Sequence, residues 1–260
     1  DYNLDLKLEN FNSSNFEMSI NRVSNDSYLN VFDQYITKSN LRPLDFNKLT
    51  NYINVRLNHS NFDLETGLKS FENLRIKNQS DRYQYVLPYY NFDKHITKNY
   101  FNGNISFNSN GSNVLDNTNK LETNFTNNLT YNSIDFISSL GFKNNFGINL
   151  KNLNSVGKKS SKYKSNLQSE LVSLYNLDIS LPLKKNSQTY QNYLTPKLSL
   201  RFNPHDMKNY SSSARNIDAH NAFAINRLGL SDTLESGRSL TLGLDYSNER
   251  KDNLNEINNY

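Results

Sequence analysis

Lys158, Lys159, Lys162 and Lys164 fall in one short stretch and form the chain's one basic cluster. Ammonium groups so grouped can hold phosphates as point charges; a solvated basic loop is the alternative reading. A second set, Arg227, Asp232 and Glu235, is interspersed with Gly229 and Gly237. Glycines tolerate positive φ, so this stretch reads as a folded loop with Arg227 paired to a carboxylate. An ordinary exposed loop is the competing reading. His59, His95, His205 and His220 have no helical or sheet-face spacing suited to a metal and read as scattered surface residues. His205 and His220 lie near many serines, but no Gly-x-Ser-x-Gly elbow accompanies them. The chain is therefore not expected to be an enzyme, nor to carry a cofactor or metal.

The elements that position these groups follow from composition. The 260 residues include 47 Asn and four Ala, with 35% hydrophobic and 12% aromatic residues. Such a chain would oppose its own propensities as a helical protein, and its aromatics speak against disorder. No window approaches about 18 consecutive apolar residues, which excludes a transmembrane helix. The net charge of +4 is dispersed outside the lysine cluster, whereas nucleic-acid binding needs a concentrated basic face. With no Cys, disulfides and thiolate metal sites are excluded. An all-β protein remains.

Alternation of apolar and polar residues recurs along the chain, as in Tyr2, Leu4, Leu6, Leu8 and in Leu240, Leu242, Leu244, Tyr246. This is the pattern of strands with two unlike faces. It predicts eleven strands, at about 2–11, 15–24, 48–59, 61–73, 82–93, 99–109, 118–131, 133–153, 165–183, 189–203 and 237–248. They exceed the roughly 5–6 residues of an ordinary strand and match the 9–11 needed to cross a bilayer. The polar faces, with Asn54, Arg56, Thr241 and Asp245, would line a hydrated lumen. Connectors alternate short and longer, with 110–117 as a medium loop and 133–153 as one strand, as in transmembrane barrels. Pro88, Pro182 and Pro196 are expected at bulges or register changes. Eleven strands do not make the usual even-numbered barrel. The fold expected is an antiparallel transmembrane β-barrel segment, a single partial domain over 1–260.

Several stretches resemble a known family. Val23-Ser24-Asn25-Asp26-Ser27-Tyr28-Leu29 resembles the VSDDxYL loop of the lipopolysaccharide-assembly outer-membrane protein family LptD, also called OstA or Imp. Leu181-Pro182-Leu183 and Leu194-Thr195-Pro196-Lys197-Leu198 are similar to its PL and LxPxxxL hairpin. The strongest likeness runs from Asn221-Ala222-Phe223-Ala224-Ile225-Asn226-Arg227 through Leu234-Glu235-Ser236-Gly237 to Leu240-Thr241-Leu242-Gly243-Leu244. Leu228 and Thr233 depart from it, standing where an aromatic and Arg are usual.

The resemblance implies a central piece of a large Gram-negative outer-membrane barrel that transports lipopolysaccharide to the outer leaflet. It implies membrane lipids, an LptE-like lipoprotein inside the barrel and periplasmic bridge proteins as partners. The family's N-terminal jellyroll, gate strands and disulfide cysteines have no counterpart in the sequence. The lysine cluster would then face lipopolysaccharide phosphates. A generic outer-membrane porin or receptor barrel is the alternative; an Asn-rich adhesin would need fixed short repeats, which are absent.

The loop 204–236 is the most informative segment. Its length far exceeds a hairpin turn, and Ile217, Phe223, Ile225, Leu228, Leu230 and Leu234 need cover. The loop is expected to fold inward and cap the barrel, with Phe223 and Ile225 buried and Arg227, Asp232 and Glu235 as its polar ties.

Overall fold

Two arms, Lys48–His59 and Phe62–Asn73, pair antiparallel around a two-residue turn from His59↔Phe62 to Lys48↔Asn73. Later strands also pair antiparallel with their neighbours. A computed structural model describes residues 1–36, 45–77, 81–96, 102–206, 216–230 and 233–250. Its strands are β1 (Tyr2–Asp5), β2 (Ser13–Ser19), β3 (Lys48–His59), β4 (Phe62–Asn73), β5 (Tyr83–Ile96) and β6 (Gly103–Asp116). They continue as β7 (Lys120–Ser133), β8 (Phe136–Ile137), β9 (Lys143–Lys158), β10 (Gln168–Ser180), β11 (Leu183–Asn186), β12 (Tyr190–Asn203) and β13 (Gly237–Arg250). Two single-turn helices, α1 (Tyr28–Val31) and α2 (Asp33–Ile36), lie between β2 and β3. Among the described residues no helix is long and apolar enough to cross a membrane.

All thirteen strands belong to one sheet that follows chain order. β8 continues β7 along β9, and β11 continues β10 along β12. Counted as through-going strands there are eleven, as the alternation predicts. Among the described residues, β1 pairs only with β2 and β13 only with β12. Connectors 20–47, 74–82, 159–167 and 204–236 all follow strands of one direction, as does the three-residue turn 117–119, where the expected alternation of short and longer connectors fails.

Several boundaries differ from the expectation. The single strand over 133–153 is instead two hairpin arms. Ser138 and Phe142 close the turn between them through Ser138 N–H to Phe142 O at 2.8 Å, and Gly141 takes φ 84°. The medium loop over 110–117 is absent, because β6 runs through to Asp116. Asn117 and Thr118 both have positive φ and Asn119 N–H reaches Asp116 O, which makes a tight turn suited to strand twist. β1 ends at Asp5 rather than near 11, as Lys7 and Asn10 turn into the left-handed region.

The prolines split two ways. Pro88 sits where the β4–β5 register shifts, between Gly67↔Tyr89 and Lys69↔Val86. Pro182 and Pro196 mark no shift: Ser180↔Lys197 is followed by Leu183↔Leu194, three residues on along each strand. They leave a local gap in the ladder, since neither can donate a hydrogen bond.

The chain divides into two compact units, Asp1–Thr97 with Ser106–Leu129 and Lys151–Leu171, and Lys98–Ile105 with Thr130–Leu150 and Val172–Tyr260. In the first, Leu29, Leu49 and Leu74 form a small core with Val23 and Phe46. In the second, Val172, Leu174 and Leu234 pack together with Ile225. Most other large apolar side chains face outward. On β13, Leu240, Leu242 and Leu244 are 59%, 70% and 63% exposed, a stripe that suits hydrocarbon rather than water.

Candidate functional site

The loop before β13 folds on itself before it meets the sheet. Asp218 Oδ1 accepts the backbone N–H groups of His220 and Asn221 at 2.8 and 3.1 Å, an Asx turn that short polar side chains favour. Asn221 Nδ2 donates to Asn216 O at 2.8 Å. Asn226 closes the next turn, donating to Leu230 O at 2.7 Å and accepting Leu230 N–H at 3.0 Å. Gly229 within it takes φ 68°, a conformation costly for any side chain with a Cβ.

That folded loop then seats on one face of β10, β12 and β13. Leu234 packs on Val172 and Leu174, with Ile225 alongside. Phe223 lies against Gly243, so closely that a Cβ there would stand 2.7 Å from its ring. Arg201 Nη2 donates to Ala224 O at 2.5 Å, and Asn203 Nδ2 to Glu235 O at 3.0 Å. On β13 these contacts use Thr241 and Gly243, while Leu240, Leu242 and Leu244 point the opposite way. The loop therefore occupies the sheet face opposite the apolar stripe. Thr241 is under the loop rather than lining open water.

Arg227 ties the assembly together. Its Nε donates to Glu235 Oε2 at 2.6 Å, its Nη2 to Glu235 Oε1, and its Nη1 to Thr241 Oγ1 at 3.3 Å. It is 8% exposed, and hydrogen bonding to Glu235 raises its pKa, holding the charge more firmly. Fork-to-fork pairing of this kind fixes direction as well as energy. Phe223 and Ile225 are half-buried, and Leu230 and Thr233 are fully buried. Asp232 lies outside the described residues.

Sequence reasoning did not single out Arg201, Asn203, Lys197 or Gly243. Lys197 pairs with Asp245 and lies 5.9 Å from the Phe223 ring. Arg201 is buried, and among the described residues its Nε and Nη1 have no hydrogen-bond partner. The signal for it was present: Arg201 alternates with Leu200 and Phe202, so a cation had to sit on the inner face. Asn203 carried no signal in so Asn-rich a chain.

The lysine cluster sits in the first unit. Lys158 ends β9, Lys159 has φ 54°, and all four lysines are exposed. Ser160 organises the turn: its Oγ donates to Glu122 Oε1 at 2.7 Å and accepts the Lys162 and Tyr163 N–H groups. Lys162 Nζ lies 5.0 Å from the Tyr163 ring. In the same unit, the stretch around Asp26 is pinned by Arg82, whose Nη1 and Nη2 donate to Asp26 at 2.9 and 2.5 Å. Arg82 Nε also donates to Glu72 at 2.7 Å. The Arg82 hydrogen bonds hold the Asp26 carboxyl below its usual pKa.

A meander of long antiparallel strands, one face apolar and the other holding a folded polar-edged loop, defines a segment of an outer-membrane-type β-barrel. The chain belongs to the LPS transport system D family, LptD, whose model matches residues 7–257. That family serves lipopolysaccharide transport and assembly in the outer membrane and is not an enzyme family. No curated protein matches the chain.

Proposed function

We propose that this chain forms part of the barrel wall of a translocon in the cell outer membrane that inserts lipopolysaccharide into the outer leaflet. The observation that carries this reading is the seated loop: Phe223 on Gly243 and Arg227 on Glu235 place a shaped, charged surface over the inner face of β10, β12 and β13. A conduit for an amphiphile needs a closed, shaped mouth, which such a cap supplies. In this reading Phe223, Ile225, Arg227 and Glu235 hold the cap. Lys158, Lys159, Lys162 and Lys164 meet lipopolysaccharide phosphates at the longer-loop end. The full-length protein works with an LptE-like lipoprotein inside the barrel and with periplasmic bridge proteins. The test is depletion of the full-length protein in its source cell, followed by labelling of surface lipopolysaccharide. The expected result is surface loss with lipopolysaccharide accumulating inside; unchanged surface lipopolysaccharide with altered uptake of small solutes would favour a porin.

A further inference from the structure

The apolar face of β13 is not uniform. Where it approaches the longer-loop end, a groove of about 700 Å³ opens beside it. Tyr175 and Leu177 of β10, Leu200 and Phe202 of β12, and Arg238 and Leu240 of β13 contribute to its lining. Cross-strand register aligns these residues: Tyr175 faces Phe202, Leu177 faces Leu200, and Phe202 faces Arg238. Tyr175 and Phe202 stack at 6.4 Å and 25°, and the Arg238 guanidinium lies 5.4 Å from the Phe202 ring. Among the described residues no acidic side chain lines the groove and Arg238 has no carboxylate partner.

A cation on the hydrocarbon side of a strand is costly unless it reaches a polar group. Arg238 stands one residue inside the end of β13, next to the long connector. In a barrel that end is the outer one, so the guanidinium lies at the height of outer-leaflet headgroups. Below it the groove is apolar and aromatic, as an acyl chain requires. A bidentate donor above an apolar channel matches a phosphorylated, acylated headgroup. The Phe202 ring against the guanidinium narrows its range of positions, which lowers the entropy lost on binding.

From this arrangement we infer that the outer surface of β10, β12 and β13 carries a binding site for one lipopolysaccharide molecule. Its phosphate sits on Arg238 and an acyl chain lies along Leu240, Leu200 and Leu177. The site lies on the opposite face of the sheet from the capping loop, so it holds lipid already in the leaflet. The inference rests on the outer-membrane reading above.

The experiment uses the full-length protein taken with its own lipids into polymer-bounded discs. A photoreactive phenylalanine analogue replaces Leu240 on the outer face. Irradiation should attach lipopolysaccharide at 240. Arg238→Gln should cut that yield roughly fivefold, and Arg238→Lys should cut it less, since the charge remains. Heat-modified gel migration confirms that each variant is folded. Attachment at 240 that Arg238→Gln leaves unchanged, or attachment of phospholipid alone, overturns the site. If depletion of the protein lowers surface lipopolysaccharide but position 240 stays unlabelled, the site fails and the transport reading stands. If depletion leaves the surface unchanged while 240 is labelled, the site stands and the transport reading fails.

Discussion

The ring of Phe223 fills the space that a side chain at position 243 would take, with 2.7 Å between the ring and an added Cβ. Gly243 is thus a socket on β13 for the loop that precedes it. Gly243→Val should displace Phe223 and cost about 1–3 kcal/mol through overpacking. Limited proteolysis should then cut in the 216–230 region at rates far above wild type. Pairing Gly243→Val with Phe223→Ala should recover part of the loss, as expected for residues in contact; full additivity would show that the two do not meet.

Arg227 and Glu235 are coupled by two parallel hydrogen bonds. Arg227→Ala leaves Glu235 without its cation and should destabilise the folded barrel by up to about 3 kcal/mol, the low end for breaking a buried pair because Glu235 keeps some contact with water. The measurement is the midpoint of heat-modified gel migration. Arg227→Lys should recover only part of it, because a single ammonium cannot grip both carboxylate oxygens and Thr241 together.

How much of this was legible in the sequence depends on the kind of residue. Leu240, Leu242 and Leu244 announced the strand and its outer face, because period-two burial leaves a period-two sequence. That the loop before β13 packs on something was legible in Phe223, Ile225 and Leu234, which need cover; which face receives it was read from the structure. Turns were harder. Asn117 and Thr118 bend β6 into β7, yet Asn marks a turn weakly when it also fills strand faces. The hairpin at Ser138–Phe142 was hidden because Ile134, Phe136, Ile137, Leu140 and Phe142 continue the apolar pattern across the bend; all of these are well exposed. Gly243 and Asn203 gave no sign of their role, since what each touches is distant in sequence.

Asp26 offers a pH test. Its carboxyl is held below the usual value of 3.8 by the Arg82 hydrogen bonds, so the ionised form is favoured in the folded state. A depressed pKa of this kind adds stability that is fully present above 3.8 and is lost as pH falls through the lower folded value. Protection of the segment 20–36 from an acid-active protease should therefore hold from neutral pH down to about 4 and fall below it. Asp26→Asn should show weaker protection with little further change on acidification. A wild-type profile as flat as that of Asp26→Asn would show that the Asp26–Arg82 tie does not hold this segment.

In the outer-membrane reading, one face of β13 meets lipid while the other faces the barrel interior. The most direct measurement is assembly yield of the full-length protein carrying Leu242→Arg or Ser247→Arg. Leu242 lies on the exposed apolar stripe. Ser247 shares the opposite face, away from the loop contacts at Thr241 and Gly243. Arg at mid-depth on a lipid face costs about 2–4 kcal/mol, whereas interior positions tolerate it. Leu242→Arg should assemble poorly and Ser247→Arg at close to wild-type yield. Equal yields for the two variants, or a greater loss for Ser247→Arg, would contradict it.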